Sequence, residues 1–123
     1  MSTLTVTNIQ ATGETASRAV SGVAAAWCNY DGDNNSIQDS NNIASITDNA
    51  NGRHQFGLTN AMANSDYAAT GSAGHSAFHN VSTKSSAFGT VNASNITIRV
   101  SQTDSNADDD DAQTSIAIHG DLA

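Results

Sequence analysis

The side chains of this chain best suited to chemistry are its aspartates. Seven of the eleven fall in two groups: Asp31, Asp33 and Asp39 within Asp31-Gly32-Asp33-Asn34-Asn35-Ser36-Ile37-Gln38-Asp39, and the unbroken run Asp108 to Asp111. Carboxylate and amide oxygens at alternate positions are what a calcium loop offers a hard cation. A complete loop of the EF-hand kind also needs Gly at its sixth place and a bidentate Glu at its twelfth, and here those places hold Ser36 and Asn42. The first group therefore reads as a solvated hairpin turn, with calcium at Asp31 to Asp39 as the alternative; no other metal or cofactor is expected. The run reads as part of an exposed loop, because like charges repel one another and resist burial. Asp31, Asp33, Asn35 and Asp39 on one side, and Asp108, Asp109, Asp110 and Asp111 on the other, become the candidate exposed binding loops.

The remaining reactive types point to no catalyst. His75 and His79 are four residues apart, but the Gly- and Ser-rich surroundings Gly71 to Asn80 disfavour the helix that would aim both at one metal. His54 and His119 fall in strand patterns and read as surface or interface residues. Cys28 is the sole cysteine, which excludes an intrachain disulfide, and in Ala25-Ala26-Trp27-Cys28 it reads as a small buried hydrophobe. No phosphate-binding Gly loop, paired-carboxylate site or Ser/His/Asp set is visible, and no enzymatic activity is expected. The sequons at Asn80, Asn92 and Asn95 carry no weight in a chain with 14 Asn, 16 Ser and 13 Thr.

The elements that must carry these residues are short strands. Thr3 to Ile9 alternates Leu4 and Val6 with threonines, ahead of a small polar segment. A lone amphipathic strand cannot cover both its faces, so residues 1–21 read as an N-terminal docking arm and linker. Residues 22–123 read as an antiparallel β module, a compact sandwich or small barrel. Its strands are expected over Val23–Tyr30, Ile43–Thr47, His54–Thr59, Tyr67–Ser72, a weaker pair near Phe78 and Phe88, Asn95–Val100 and Thr114–His119. Asp-Gly, Asn-Gly and Ser/Asn-rich turns separate them. Ile96, Ile98 and Val100 alternate with Thr97 and Arg99, and Ile116 and Ile118 with Ala117 and His119. These last two strands are expected to pair with each other, joined by an exposed loop over Gln102 to Gln113. The expected core is Trp27, Phe56, Ile96, Ile98, Ile116 and Ile118.

Composition bounds the function. Of 123 residues only 20 are Leu, Ile, Val or Phe, a thin core for one domain, and self-association is the natural supplement. The abundance of Asn, Ser and Thr suits an exposed β protein. With four Lys and Arg against twelve acidic residues and a net charge of −8, no direct nucleic-acid partner is expected. The longest apolar run, Val23 to Cys28, is too short to span a bilayer, and no membrane partner is expected.

Three segments carry a resemblance: Ala26-Trp27-x-Asn29-x-Asp31-Gly32; Ile37-x-Asp39-Ser40-x-Asn42-Ile43-x-Ser45-Ile46-Thr47-Asp48-Asn49; and Ala61-Met62-x-Asn64-x-x-Tyr67. In order and spacing, with the ending Ile116-Ala117-Ile118-His119-Gly120-Asp121 and the opening Ser2-Thr3-Leu4-x-Val6, the chain resembles a family of short phage virion proteins. These are frequent in phages of marine bacteria and usually labelled tail-fibre-like. Family members often have Gly in place of Ala50, an aromatic ring in place of His54 and Pro in place of Ala63. The resemblance implies an all-β, homotrimeric module on the virion exterior.

A module with one short arm and no extended shaft suits a capsid decoration, or cement, protein more than a long fibre. The expected partner is then the major capsid protein, reached through Leu4, Val6 and Ile9. The alternative is a receptor-binding tail-fibre or head-fibre tip whose outward loops meet a host surface receptor, glycan or protein.

Overall fold

The computed structural model describes residues 2–9, 12, 18–19, 23–74, 79–84 and 89–123. Its strands are β1 (Asn8–Ile9), β2 (Arg18–Ala19), β3 (Ala24–Asp31), β4 (Ser36–Asn41), β5 (Ile43–Ala50), β6 (Arg53–Leu58), β7 (Ala68–Ala73), β8 (His79–Ser82), β9 (Asn95–Gln102) and β10 (Thr114–His119). Two antiparallel four-stranded sheets, ordered β4-β3-β10-β7 and β5-β6-β9-β8, pack face to face as a sandwich. β1 and β2 form a separate two-residue ladder. The expected strand from Thr3 is thus confined to Asn8 and Ile9; residues 2–6 have no ladder partner and no regular structure.

Period-2 alternation builds the core. β3 turns Ala26, Cys28 and Tyr30 inward, β10 turns Thr114, Ile116 and Ile118, β6 turns His54, Phe56 and Leu58, and β9 turns Ile96, Ile98 and Val100. Five of the six expected core residues are there: Phe56, Ile96, Ile98, Ile116 and Ile118. Trp27 is not, being 37% exposed on the outer face of β3. The register that buried it would also bury Asn29 and Asp31, and the chain takes the other one. The last two strands do not pair with each other. β9 lies between β6 and β8, β10 between β3 and β7, so their isoleucines meet across the sandwich instead of along one sheet.

The stretch expected to be a long polar turn contains an entire strand, β4. Only residues 32–35 turn, and β4 pairs back on β3 with a bulge between Asn29 and Tyr30. Asn42 then carries the chain across to the second sheet in one residue at φ 58°, a conformation Asn tolerates. Its side chain holds this corner by accepting from Asn60 N at 2.7 Å and donating to Asn60 O at 3.1 Å. The Asn51-Gly52 turn joins β5 to β6 with Gly52 at φ 67°, where a Cβ would stand 2.4 Å from Val100 O. At the opposite edge, β7 approaches β8 through Gly71, where a Cβ would stand 2.7 Å from Val81 Cγ1. The two sheets differ on their outer faces. β9 is covered on both sides, with the 89–92 segment lying on Thr97, whereas β3 and β10 alternate buried with open positions.

Candidate functional site

The aspartate run is where the structure departs most from the sequence reading. Residues 103–113 do not form a free loop; they fold back over the second sheet and close one end of the sandwich. Backbone bonds hold the path: Gln102 N to Ala107 O at 2.9 Å, Asp109 N to Val100 O at 3.2 Å and Gly32 N to Asp111 O at 2.8 Å. Asp108, Asp109 and Asp110 are half-buried and Asp111 is 3% exposed, so the expectation of four solvated carboxylates is corrected. Like charges tolerate this proximity because each carboxylate is satisfied by its own donors.

Asp108 is held by both guanidiniums that face it. Arg53 and Arg99 stand directly opposite each other on β6 and β9, an arrangement of like charges that is unfavourable alone. Asp108 Oδ2 accepts from Arg53 Nε at 2.5 Å and Oδ1 from Arg99 Nε at 2.5 Å. Partial burial pushes this carboxyl up, but the hydrogen bonds from Arg99 and Arg53 outweigh it and hold it below its ordinary value. Asp109 Oδ2 accepts from Gln102 Nε2 at 2.8 Å and lies 3.2 Å from His79 Nε2. Asp111 Oδ2 meets the other ring nitrogen, His79 Nδ1. Both ring nitrogens thus face carboxylates. The His79 and Asp111 side chains are 2% and 0% exposed.

Asp110 reaches the second buried ring. Its Oδ1 accepts from Gly52 N at 2.6 Å and lies 3.1 Å from His54 Nε2, yet off that nitrogen's bonding direction, so Nε2 makes no hydrogen bond. On the ring's other side Tyr30 donates its hydroxyl proton to Asn35 Oδ1, and its oxygen lies 3.3 Å from His54 Nδ1. Asn35 Nδ2 in turn donates to Asp48 Oδ2 at 3.0 Å. Tyr30 meets His54 and Phe56 edge-on, at ring-centroid distances of 4.9 and 5.8 Å. His54 is 0% exposed, which corrects its reading as a surface residue. Burial holds its imidazole below the ordinary value, and the opposing pull of Asp110 and Asp48 does not overcome it.

The other sequence candidates scatter. Asp31 caps its own turn, accepting from Asn34 N at 3.0 Å and Asn34 Nδ2 at 2.9 Å, so both carboxylate oxygens are engaged locally. Asp33 and Asp39 are exposed. Asn35 is drawn into the Tyr30–Asp48 network. Among the described residues no group of three or more His, Cys, Asp or Glu side chains is placed to hold a metal ion. His75, Phe78 and Phe88 lie outside the described residues. Leu4 and Val6 are 84% and 42% exposed; Ile9 stands in β1, paired with Arg18. Burial pushes the Cys28 thiol up to about 11 and the Tyr30 phenol well above its ordinary value, so neither is an activated nucleophile. What the cluster does chemically is hold, as a clasp: ion pairs from Arg53 and Arg99 and contacts from His54 and His79 tie one loop to the second sheet, and hydrogen bonds from Gly32 N and Gly52 N tie it to two turns.

The sequence reading missed Tyr30, Arg53, Arg99 and both buried histidines as partners of the run. No sequence signal places them there, because Arg53 and Arg99 face each other only through the pairing of β6 with β9. The chain matches no known family model, no curated protein and no solved structure.

Proposed function

We propose that this chain is a structural protein of a phage particle, a trimeric decoration protein that grips the outer capsid through residues 2–9 and displays the sandwich outward. The observation that carries the reading is the contrast between the two parts of the chain. The sandwich closes its own core, while Leu4 and Val6 in the segment ahead of it stand 84% and 42% exposed on backbone without a ladder partner. An extended segment of this kind gains most by adding to the edge of another sheet, where main-chain bonds and alternate apolar side chains are used together. The resemblance to short virion proteins supplies the particle, and a threefold arrangement gives the arm three simultaneous contacts.

The test is co-sedimentation. Particles purified from a phage lacking the gene are mixed with the full chain or with a chain lacking residues 2–9. The full chain pellets saturably and the truncated one binds about tenfold more weakly or less. Equal binding by the two, or no binding by either, overturns the reading.

A further inference from the structure

The outer face of the first sheet sets exposed Trp27, Asn29, Thr70 and Ser72 around half-buried Ser115 and Ala117. In register across it run Asn41, Trp27, Ala117 and Thr70, and beside them Asp39, Asn29, Ser115 and Ser72. Short side chains on β10 between the indole of β3 and the hydroxyls of β7 leave a shallow trough. It comprises two adjoining hollows of about 380 and 250 Å³ that share Ser72 and Ser115, with Asn29 and Gln113 lining the larger and Thr70 and Ala117 the smaller. Trp27, 37% exposed, stands beside Ala117 at the rim. Ser115 donates to Asn29 Oδ1 at 3.4 Å, which orients that amide across the trough.

We propose that this trough binds a neutral saccharide. A pyranose presents an apolar face of C–H groups and a rim of hydroxyls. The indole of Trp27, next to Ala117 in register and outside the lining of both hollows, offers an apolar surface, and the trough beside it offers hydroxyl and amide groups that both donate and accept. Charge selects within the class. The described residues of this face carry no Lys or Arg: Arg53 and Arg99 belong to the second sheet, and Lys84 is engaged with the Ser65 and Tyr67 carbonyls at the edge. Asp39 and the net charge of −8 disfavour a carboxylated, sulfated or phosphorylated glycan. The proposal does not depend on the arm or on the capsid.

Trp27 is the sole tryptophan, so its emission reports the site directly. The full chain is titrated to millimolar levels with neutral hexasaccharides of glucose, xylose, mannose and N-acetylglucosamine, and with a sialylated oligosaccharide as the acidic arm. At least one neutral sugar shifts the emission saturably, and the acidic one does not. Ser72→Arg, an exposed change that fills the trough, weakens that binding about tenfold or more without lowering Tm. Calorimetry on Trp27→Ala gives a comparable loss. The proposal is overturned if no neutral sugar shifts the emission, if the shift survives Ser72→Arg, or if only the acidic sugar binds. It is also overturned if the emission depends on protein concentration alone, which would make this face a contact between copies.

Discussion

Replacing Asp108 by Asn removes the charge at the centre of the clasp and turns one of its two acceptor oxygens into a donor facing a guanidinium, with almost no change in size. In the wild type its carboxylate takes a 2.5 Å contact from Arg99 Nε and 2.5 Å contacts from Arg53 Nε and Nη2. A hydrogen bond to a charged partner contributes about 1.5–3 kcal/mol when shielded from water. The Arg99 side chain is 21% exposed and that of Asp108 16%, so this bond keeps about 1.5 kcal/mol; Arg53 is 36% exposed and keeps about 0.5 kcal/mol. The uncovered Arg53–Arg99 pair adds a few tenths of a kcal/mol of cross-strand repulsion. Asp108→Asn is therefore expected to lose about 2 kcal/mol, a fall in Tm of about 8 °C for a domain of this size, with an unchanged urea m-value. The pH dependence has a definite sign. The folded carboxyl sits below its unfolded value of 3.8, so its stabilisation is fully present above that value and is lost as pH falls through the folded one. Urea titrations at neutral pH should show the full gap between wild type and variant, and the gap should close in acid as pH falls through the folded value. A neutral-pH loss under about 0.5 kcal/mol, the ordinary scatter for a surface change, or a gap that persists in acid, would refute the reasoning.

Three further outcomes follow from the same geometry. The His54 imidazole, held below its ordinary 6.5, resists a proton that the unfolded chain accepts, so stability should fall as pH drops from 6.5 toward the folded value. NMR should show its ring titrating below 6.5, and titration above that value contradicts the burial argument. Ile98→Ala, at 0% exposure, should cost about 2–5 kcal/mol in urea unfolding. Leu4→Ala, at 84% exposure, should stay within about 0.5 kcal/mol, and equal effects from the two would be inconsistent with this core. Cys28, 2% exposed with its thiol pushed up to about 11, should react with an aromatic disulfide reagent only at the rate of unfolding; rapid modification of the native chain would place it elsewhere.

The class of fold was legible because β9 and β10 alternate isoleucine with polar residues, and Asn51-Gly52 marks a tight turn with the φ that Gly permits. Which sheet each strand joins was not, because alternation fixes a strand's inward face and says nothing of its neighbour. Trp27 was misplaced by residue type, although the pattern Ala26, Cys28, Tyr30 against Asn29, Asp31 already contained the answer. β4 was hidden because Ser36 to Asn41 is polar apart from the exposed Ile37 and shows no apolar alternation, as an edge strand permits. The clasp was illegible for a different reason. A run of aspartates reads as solvated unless its partners are known, and Arg53, His54, His79 and Arg99 come together only through the pairing of β6, β9 and β8.

Copy number in the particle tests the central claim most directly. On the proposed reading, quantitative mass spectrometry of purified virions of a phage carrying this gene should find the chain in amounts comparable to the major capsid protein. A few copies per particle, as at a tail tip, or none at all, would contradict the decoration reading.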